Sequence, residues 1–261
     1  TCLYQPCRIW NGLIILILSC CPLHPVYAFL DKDIRLLTMK DGLADNTIPC
    51  IYKDEDGFMW FGTDNGLSRY DGKTIQNFKP ANTYVSIAAI VRLSDDFLGI
   101  VSDGYLYYFN RKQETFFPIH TESDTAIGVF NVLPADDSSF WGISGNRLIL
   151  CQWEIQQGKE EEKTAVRVRI QKTFQLLEEK GEVFSSLCYH EKAGNGMWLT
   201  TNRGNLILFH PDTPEAYQKI PLTDGKPLQV TSILNRDGVV WISTIAKGIV
   251  RYHTKSGNLW R

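Results

Sequence analysis

The chain has 261 residues, with 27 Lys+Arg against 29 Asp+Glu and a formal charge of −2. Charged residues at 21% and hydrophobic ones at 44% are ordinary globular composition, which excludes a disordered or collagen-like chain. Near-neutrality removes the broad basic footprint that direct nucleic-acid contact needs, and aromatics at 12% favour strands.

Residues 1–28 hold a single charge, Arg8, followed by the apolar run Gly12-Leu-Ile-Ile-Leu-Ile-Leu18. That run is too short for a membrane helix, which needs about 20 apolar residues. It fits the core of a secretory signal, with Val26 and Ala28 at the −3 and −1 positions of a cleavage site. A second reading takes Ile17-Leu-Ser-Cys20 as a lipoprotein box with Cys20 acylated. Pro22 and Pro25 oppose a buried helix here. The expectation is a signal peptide over 1–28 and an exported domain over 29–261. Cys2, Cys7, Cys20 and Cys21 leave with the leader. Cys50, Cys151 and Cys188 remain, too few and too widely spaced for a disulfide framework or a zinc site.

One segment then recurs. It runs Asp56-Gly57-Phe-Met-Trp60-Phe-Gly62-Thr63-Asp-Asn-Gly66-Leu-Ser-Arg-Tyr70 in its first copy. It ends as Asp237-Gly238-Val-Val-Trp241-Ile-Ser-Thr244, closed by Gly248-Ile-Val-Arg-Tyr252. Between them the anchor position reads Leu98, Trp141 and Trp198, so the anchors lie 38, 43, 57 and 43 residues apart. A period near 40 in a strand-rich pattern predicts propeller blades.

Each unit reads as four short strands. In the first they are Ile48–Lys53, Phe58–Thr63, Leu67–Tyr70 and Ile75–Lys79. The turns are Asp54-Glu-Asp-Gly57, Asp64-Asn-Gly66 and Asp71-Gly-Lys73, the middle one expected to supply the positive-φ residues of a tight hairpin. One blade cannot bury both faces alone, so blades must stack, with the second-strand Trp as a wedge. The 57-residue spacer reads as a hairpin lengthened beyond the rim, from Trp153 to Phe174, with a charged tip at Gln157–Lys163. Ile34–Thr38 reads as a strand ahead of the first unit, and Leu259–Arg261 as the start of the last fourth strand. These ends are expected to leave the ring open, with the chain a fragment of a longer protein.

The repeat resembles the two-component regulator propeller of periplasmic sensors in Bacteroidetes-type hybrid histidine kinases. The positions that carry this are Asp41-Gly-Leu43, Asn46-Thr-Ile48, Asp54, Asp56-Gly57, Trp60-Phe-Gly-Thr63, Gly66-Leu67 and Arg69-Tyr-Asp71. The second and third units depart, with Leu98 for Trp and Gly142 after Trp141. The resemblance implies an all-β propeller of four-stranded antiparallel blades, about five of a seven-bladed ring. It also implies a membrane-anchored parent that dimerises, senses an oligosaccharide at the periplasmic face of the inner membrane and passes a phosphorelay signal to transcription.

Chemistry is sparse. His24, His120, His190, His210 and His253 have no metal-binding spacing. Asp54-x-Asp56-Gly57 is superficially similar to a calcium loop, but its glycine comes early and Asn65 stands where the twelfth-position glutamate belongs. A plain turn explains it. The unit also resembles the Asp-box of sialidase propellers, yet no catalytic carboxylate pair is assignable. Tyr105, Tyr107, Tyr108 and Phe109, and Trp153, could stack on sugar rings or simply pack between blades. No catalytic, cofactor or metal residue is expected. An exported polysaccharide-active enzyme or glycan-binding module is the alternative.

Overall fold

Five sheets built of consecutive antiparallel hairpins follow one another along the chain in the computed structural model, the third with one parallel strand added at its edge. The structure describes residues 35–79, 85–123, 125–156, 165–190, 196–223, 226–245 and 247–260. The expected leader, Cys20 and the Gln157–Lys163 tip lie outside them. The propeller unit spans Leu37–Arg261. Among the described residues no helix is long and apolar enough to cross a membrane.

Blade 1 contains β1 (Cys50–Lys53), β2 (Met59–Thr63), β3 (Gly66–Tyr70) and β4 (Ile75–Phe78). Blade 2 contains β5 (Ile87–Arg92), β6 (Phe97–Ser102), β7 (Tyr105–Asn110) and β8 (Thr115–Pro118). The short β9 (His120–Thr121) leads to blade 3, made of β10 (Asn131–Pro134), β11 (Ser139–Ser144), β12 (Arg147–Gln156) and β13 (Ala165–Gln175). β9 pairs parallel to β13, so this sheet has five strands where four were expected. Blade 4 contains β14 (Phe184–Tyr189), β15 (Met197–Thr201), β16 (Asn205–Phe209) and β17 (Gln218–Pro221). Blade 5 contains β18 (Val230–Arg236), β19 (Val239–Thr244), β20 (Gly248–His253) and β21 (Leu259–Trp260). The β12–β13 hairpin is the predicted long one, paired from Arg147↔Gln175 out to Gln156↔Ala165.

Two local expectations need correction. Residues 35–38 form no strand. Instead Thr38 caps a 3-10 turn at Met39–Asp41 through a reciprocal capping box, because its side chain and that of Asp41 satisfy each other's backbone N–H groups. The chain beyond it braces blade 1: Ala44 N donates to Ser68 Oγ (3.1 Å) and Asn77 Nδ2 to the Gly42 carbonyl (2.8 Å), with Leu43 buried beneath. The second correction is the Asp64–Asn65 turn, where only Gly66 takes positive φ, at 112°. A Cβ there would meet the Phe78 carbonyl at 2.7 Å, so this position needs glycine twice over.

Stacking is carried by four apolar clusters, one per blade junction. Trp60 fills the first with Ile87, Leu98, Ile100 and Phe109 of blade 2. Trp141 reaches blade 4 against Leu187 and Met197, and Trp198 reaches blade 5 against Val240 and Tyr252. All three are buried, and each projects toward the following blade. Leu98 does not share this role. It points back at Trp60, while Gly99 holds the matching place relative to the hairpin, so blade 2 meets blade 3 through Phe97, Val101 and Tyr108 instead. The alternation of side chains along a strand is the reason: a one-residue offset reverses the face. Tyr107, Tyr108, Phe109 and Trp153 all pack between blades, and only Tyr105 stays half exposed.

Trp241 holds the same position in blade 5, but its face is open. Leu234, Trp241, Arg251 and Trp260 are aligned across the sheet, with Trp241 37% and Leu234 56% exposed.

The three described cysteines are free, and burial pushes the thiols of Cys50 and Cys151 up to about 12 and that of Cys188 to about 11. Cys151 is buried and Cys50 and Cys188 are half-buried, and all three behave as small hydrophobes.

A buried carboxylate fixes the entry to blade 4. Glu182 accepts hydrogen bonds from Thr201 Oγ1 (2.7 Å), Asn205 Nδ2 (2.7 Å) and Lys219 Nζ (3.0 Å). Burial raises its pKa, but these bonds and the Lys219 charge outweigh that and hold it below the ordinary value. A carboxyl depressed by folding stabilises the protein above its unfolded pKa, and that stability is lost as pH falls through the folded pKa. Glu182→Gln should therefore flatten the acid side of the stability profile, read from urea midpoints at stepped pH. An unchanged acid slope would show that Glu182 contributes nothing to it.

Candidate functional site: the charged cleft between blades 1 and 2

The loop after β1 holds the most elaborate polar arrangement. Asp54 is buried, and its backbone N–H closes the hairpin on the Phe58 carbonyl at 3.0 Å. Its Oδ1 accepts from Phe58 N (2.8 Å) and its Oδ2 from the Trp60 indole Nε1–H (2.7 Å). Arg111, which follows β7 in blade 2, donates to the same Oδ2 at 3.0 Å and to Asp56 at 2.6 Å. Its guanidinium lies 5.9 Å from the Trp60 ring centroid and also donates to the Asp95 carbonyl. One carboxylate thus ties a turn, an indole and the neighbouring blade together.

A cleft of about 480 Å³ opens above this latch, lined among others by Tyr52, Glu55, Arg92, Asp95, Asp96 and Lys112. Every carboxylate lining it faces a cation. Arg111 holds Asp54 and Asp56, Arg92 holds Asp95 (2.6 Å) and Glu55 (3.6 Å), and Lys112 holds Asp96 (2.9 Å). Arg69 sits at the cleft's side, over Phe58, Trp60 and Phe78, and reaches Glu114. The Arg111 pairs with Asp54 and Asp56 and the Arg92 pair with Glu55 cross from blade 2 to blade 1 and tie the two sheets together.

The predicted repeat residues take matching places. Thr63 Oγ1 donates to the Gly66 carbonyl and Thr244 Oγ1 to that of Gly248, both at 2.8 Å. Gly57 and Gly238 take positive φ in their turns, as does Asp237. Gly62 is packed where a Cβ would meet Cys50 Sγ at 2.4 Å. Asp56 is exposed and ion-paired. Sequence reasoning missed Arg92 and Arg111. Arg92 has a local partner in Asp95, but the contacts that matter for stacking, to Glu55, Asp54 and Asp56, lie in the preceding blade, where no local spacing signals them.

The histidine set is scattered in sequence but not wholly in space. His190 and His210 come to 6.1 Å between ring centroids at the matching rim of blade 4. Gly196 makes that possible, since a Cβ there would stand 2.5 Å from His210 Cε1.

Stacked four-stranded blades and a second-strand indole wedge define a β-propeller. Residues 42–65, which span the brace, the latch and the first hairpin, match the family model described as two component regulator propeller. The fold is similar to the extracellular domain of BT4673 from B. thetaiotaomicron, described in one structure as a one component system and in another as a hybrid two component system. The first comparison gives a TM-score of 0.59 at 15% identity, over 86% of this chain and 38% of that one. The second gives 0.58 at 14%, over 87% and 38%. The extracellular domain of BT3049 from the same organism, also described as a hybrid two component system, gives 0.53 at 16% identity, over 85% and 35%. The chain spans little more than a third of the length of these solved domains. A comparison with curated proteins found no match.

Proposed function

We propose that this chain is part of the extracytoplasmic sensor of a membrane-anchored hybrid histidine kinase and performs no catalysis itself. The observation that carries this is the regulator propeller repeat at 42–65 on a fold shared with extracellular domains of such systems. The commitment of the cleft carboxylates to Arg92, Arg111 and Lys112 supports the non-catalytic part. The apolar leader pattern supports export to the periplasmic side. In this reading the ligand is an oligosaccharide and the parent signals as a dimer to a phosphorelay. A ligand switches a distant kinase only by binding one arrangement of the sensor better than the other. Signalling therefore depends on how propellers and protomers are arranged.

The test is ligand-dependent phosphotransfer by the full-length parent in membranes, compared with a version lacking residues 34–261. The expected result is loss of the ligand response with basal phosphotransfer retained. An unchanged response after deletion, or glycan cleavage by this chain, would reject the reading.

A further inference from the structure

The face of blade 5 turned away from blade 4 carries the pair of side chains that blade 1 turns toward blade 2. Trp60 stands beside Arg69 across β2–β3, and Trp241 stands beside Arg251 across β19–β20. In both blades the guanidinium lies 5.6 Å from the indole centroid. The wedges of blades 3 and 4 have leucine there instead, with Leu150 beside Trp141 and Leu208 beside Trp198. Arg251 therefore occupies the place of Arg69.

At two junctions the following blade answers this neighbour in kind. Arg69 pairs at 3.5 Å with Glu114, the residue directly before β8, and Glu114 also accepts from Gln76 Nε2 at 3.1 Å. The residue directly before β17 is Tyr217, which packs on the same apolar cluster as Leu150. A cation thus meets a carboxylate, and a leucine shares its cluster with an aromatic ring. Arg251 has neither. It is exposed, and no carboxylate pairs with it among the described residues. Leu234 (56%), Trp241 (37%), Ile249 (56%) and Trp260 (55%) are exposed around it on the same side of the sheet. An apolar patch of this kind built around Trp and Arg has the composition of a docking surface.

We propose that this face docks a further sheet of the same repeat within one polypeptide, presenting an apolar face to Trp241 and, directly before its fourth strand, a carboxylate to Arg251. A second copy of the chain fits less well. Two such faces apposed bring two Arg251 guanidiniums to one interface, and the strand rows around them hold no carboxylate. The face of blade 1 turned away from blade 2 carries Lys53, and Thr74 rather than a carboxylate stands directly before β4. Only 38% of the solved BT4673 domain is matched by this chain, so a polypeptide of that kind has length for further repeats. The proposal rests on the sensor reading only in placing this face within a longer parent.

The test is hydroxyl-radical footprinting of the parent's whole extracytoplasmic region at two protein concentrations, read by mass spectrometry at Trp241 and Trp260. The expected result is that both are protected to the level of Trp198, which is 1% exposed, at either concentration. Oxidation of Trp241 in keeping with its exposure in this chain would overturn the proposal. So would protection that grows with concentration, since a second copy would then be the occupant. The carboxylate is tested by charge exchange in the same protein. Arg251→Glu should weaken folding, and a lysine in place of the carboxylate before the next fourth strand should restore it. The expected coupling is roughly two- to fivefold in the unfolding equilibrium, the size of a part-exposed ion pair. A following repeat without a carboxylate there, or an absent coupling, would overturn the role given to Arg251. Footprinting reads the unmutated protein, so a variant that fails to fold leaves that test standing. Ligand-dependent phosphotransfer reports on the sensor reading separately, and an open blade 5 face with the ligand response intact would sink the docking alone.

Discussion

Truncating Trp198 to alanine should cost about 3–5 kcal/mol of stability, the usual range for removing a buried Trp or Phe. The same truncation at Trp241 should cost under about 1 kcal/mol. Both residues occupy the same second-strand position, so intrinsic strand preference is held constant in the comparison. What differs is the neighbour: Trp198 is wedged among Val240, Ile242 and Tyr252 of the next blade, whereas Trp241 is 37% exposed. Its described ring partner is the Arg251 guanidinium at 5.6 Å, a contact worth roughly 0.5–1 kcal/mol at an exposed site. Urea unfolding of the two variants measures the contrast. Equal losses would mean that blade stacking is not what the Trp position stabilises.

Removing the Asp54 carboxylate should be comparably damaging. Asp54→Ala leaves a largely buried Arg111 guanidinium without its inner partner and orphans the Trp60 indole N–H. Breaking one side of a buried pair typically costs about 3–5 kcal/mol, chiefly from the charge left behind. Asp54→Asn should fall between, because the amide oxygen still accepts from Trp60 but no longer offsets the guanidinium. Asp96→Ala breaks the exposed Lys112 pair in the same cleft and should cost under about 1 kcal/mol. Denaturant midpoints for the three variants rank them. An Asp54→Ala protein as stable as Asp96→Ala would remove the latch from any structural role.

Much of the blade plan is readable from local chemistry. The hairpins at Gly66, Gly104 and Gly238 announce themselves because positive φ is costly for residues with a Cβ. The strands around Trp60, Trp141, Trp198 and Trp241 are legible because a segment covered on both faces must be continuously apolar. Leu98 shows the limit of this reasoning. It matched the anchor by spacing, yet one residue of offset relative to the β6–β7 hairpin turned it toward the preceding blade. The strand expected at Ile34–Thr38 is absent over its described part, 35–38, for a similar reason. Its apolar residues fit a strand, but the capping box of Thr38 and Asp41 sets a 3-10 turn from Met39.

The repeat, the four-strand unit and the wedge position at Trp60, Trp141, Trp198 and Trp241 are written in local sequence, since each rests on contacts within a few residues or across one hairpin. Which neighbour each wedge meets, and the closure of Arg111 on Asp54 across 57 residues, come instead from the way the blades pack. Those pairings join different blades. Periodicity within one strand records which side chains share a face, but the identity of the group opposite is set by how one sheet lies on the next.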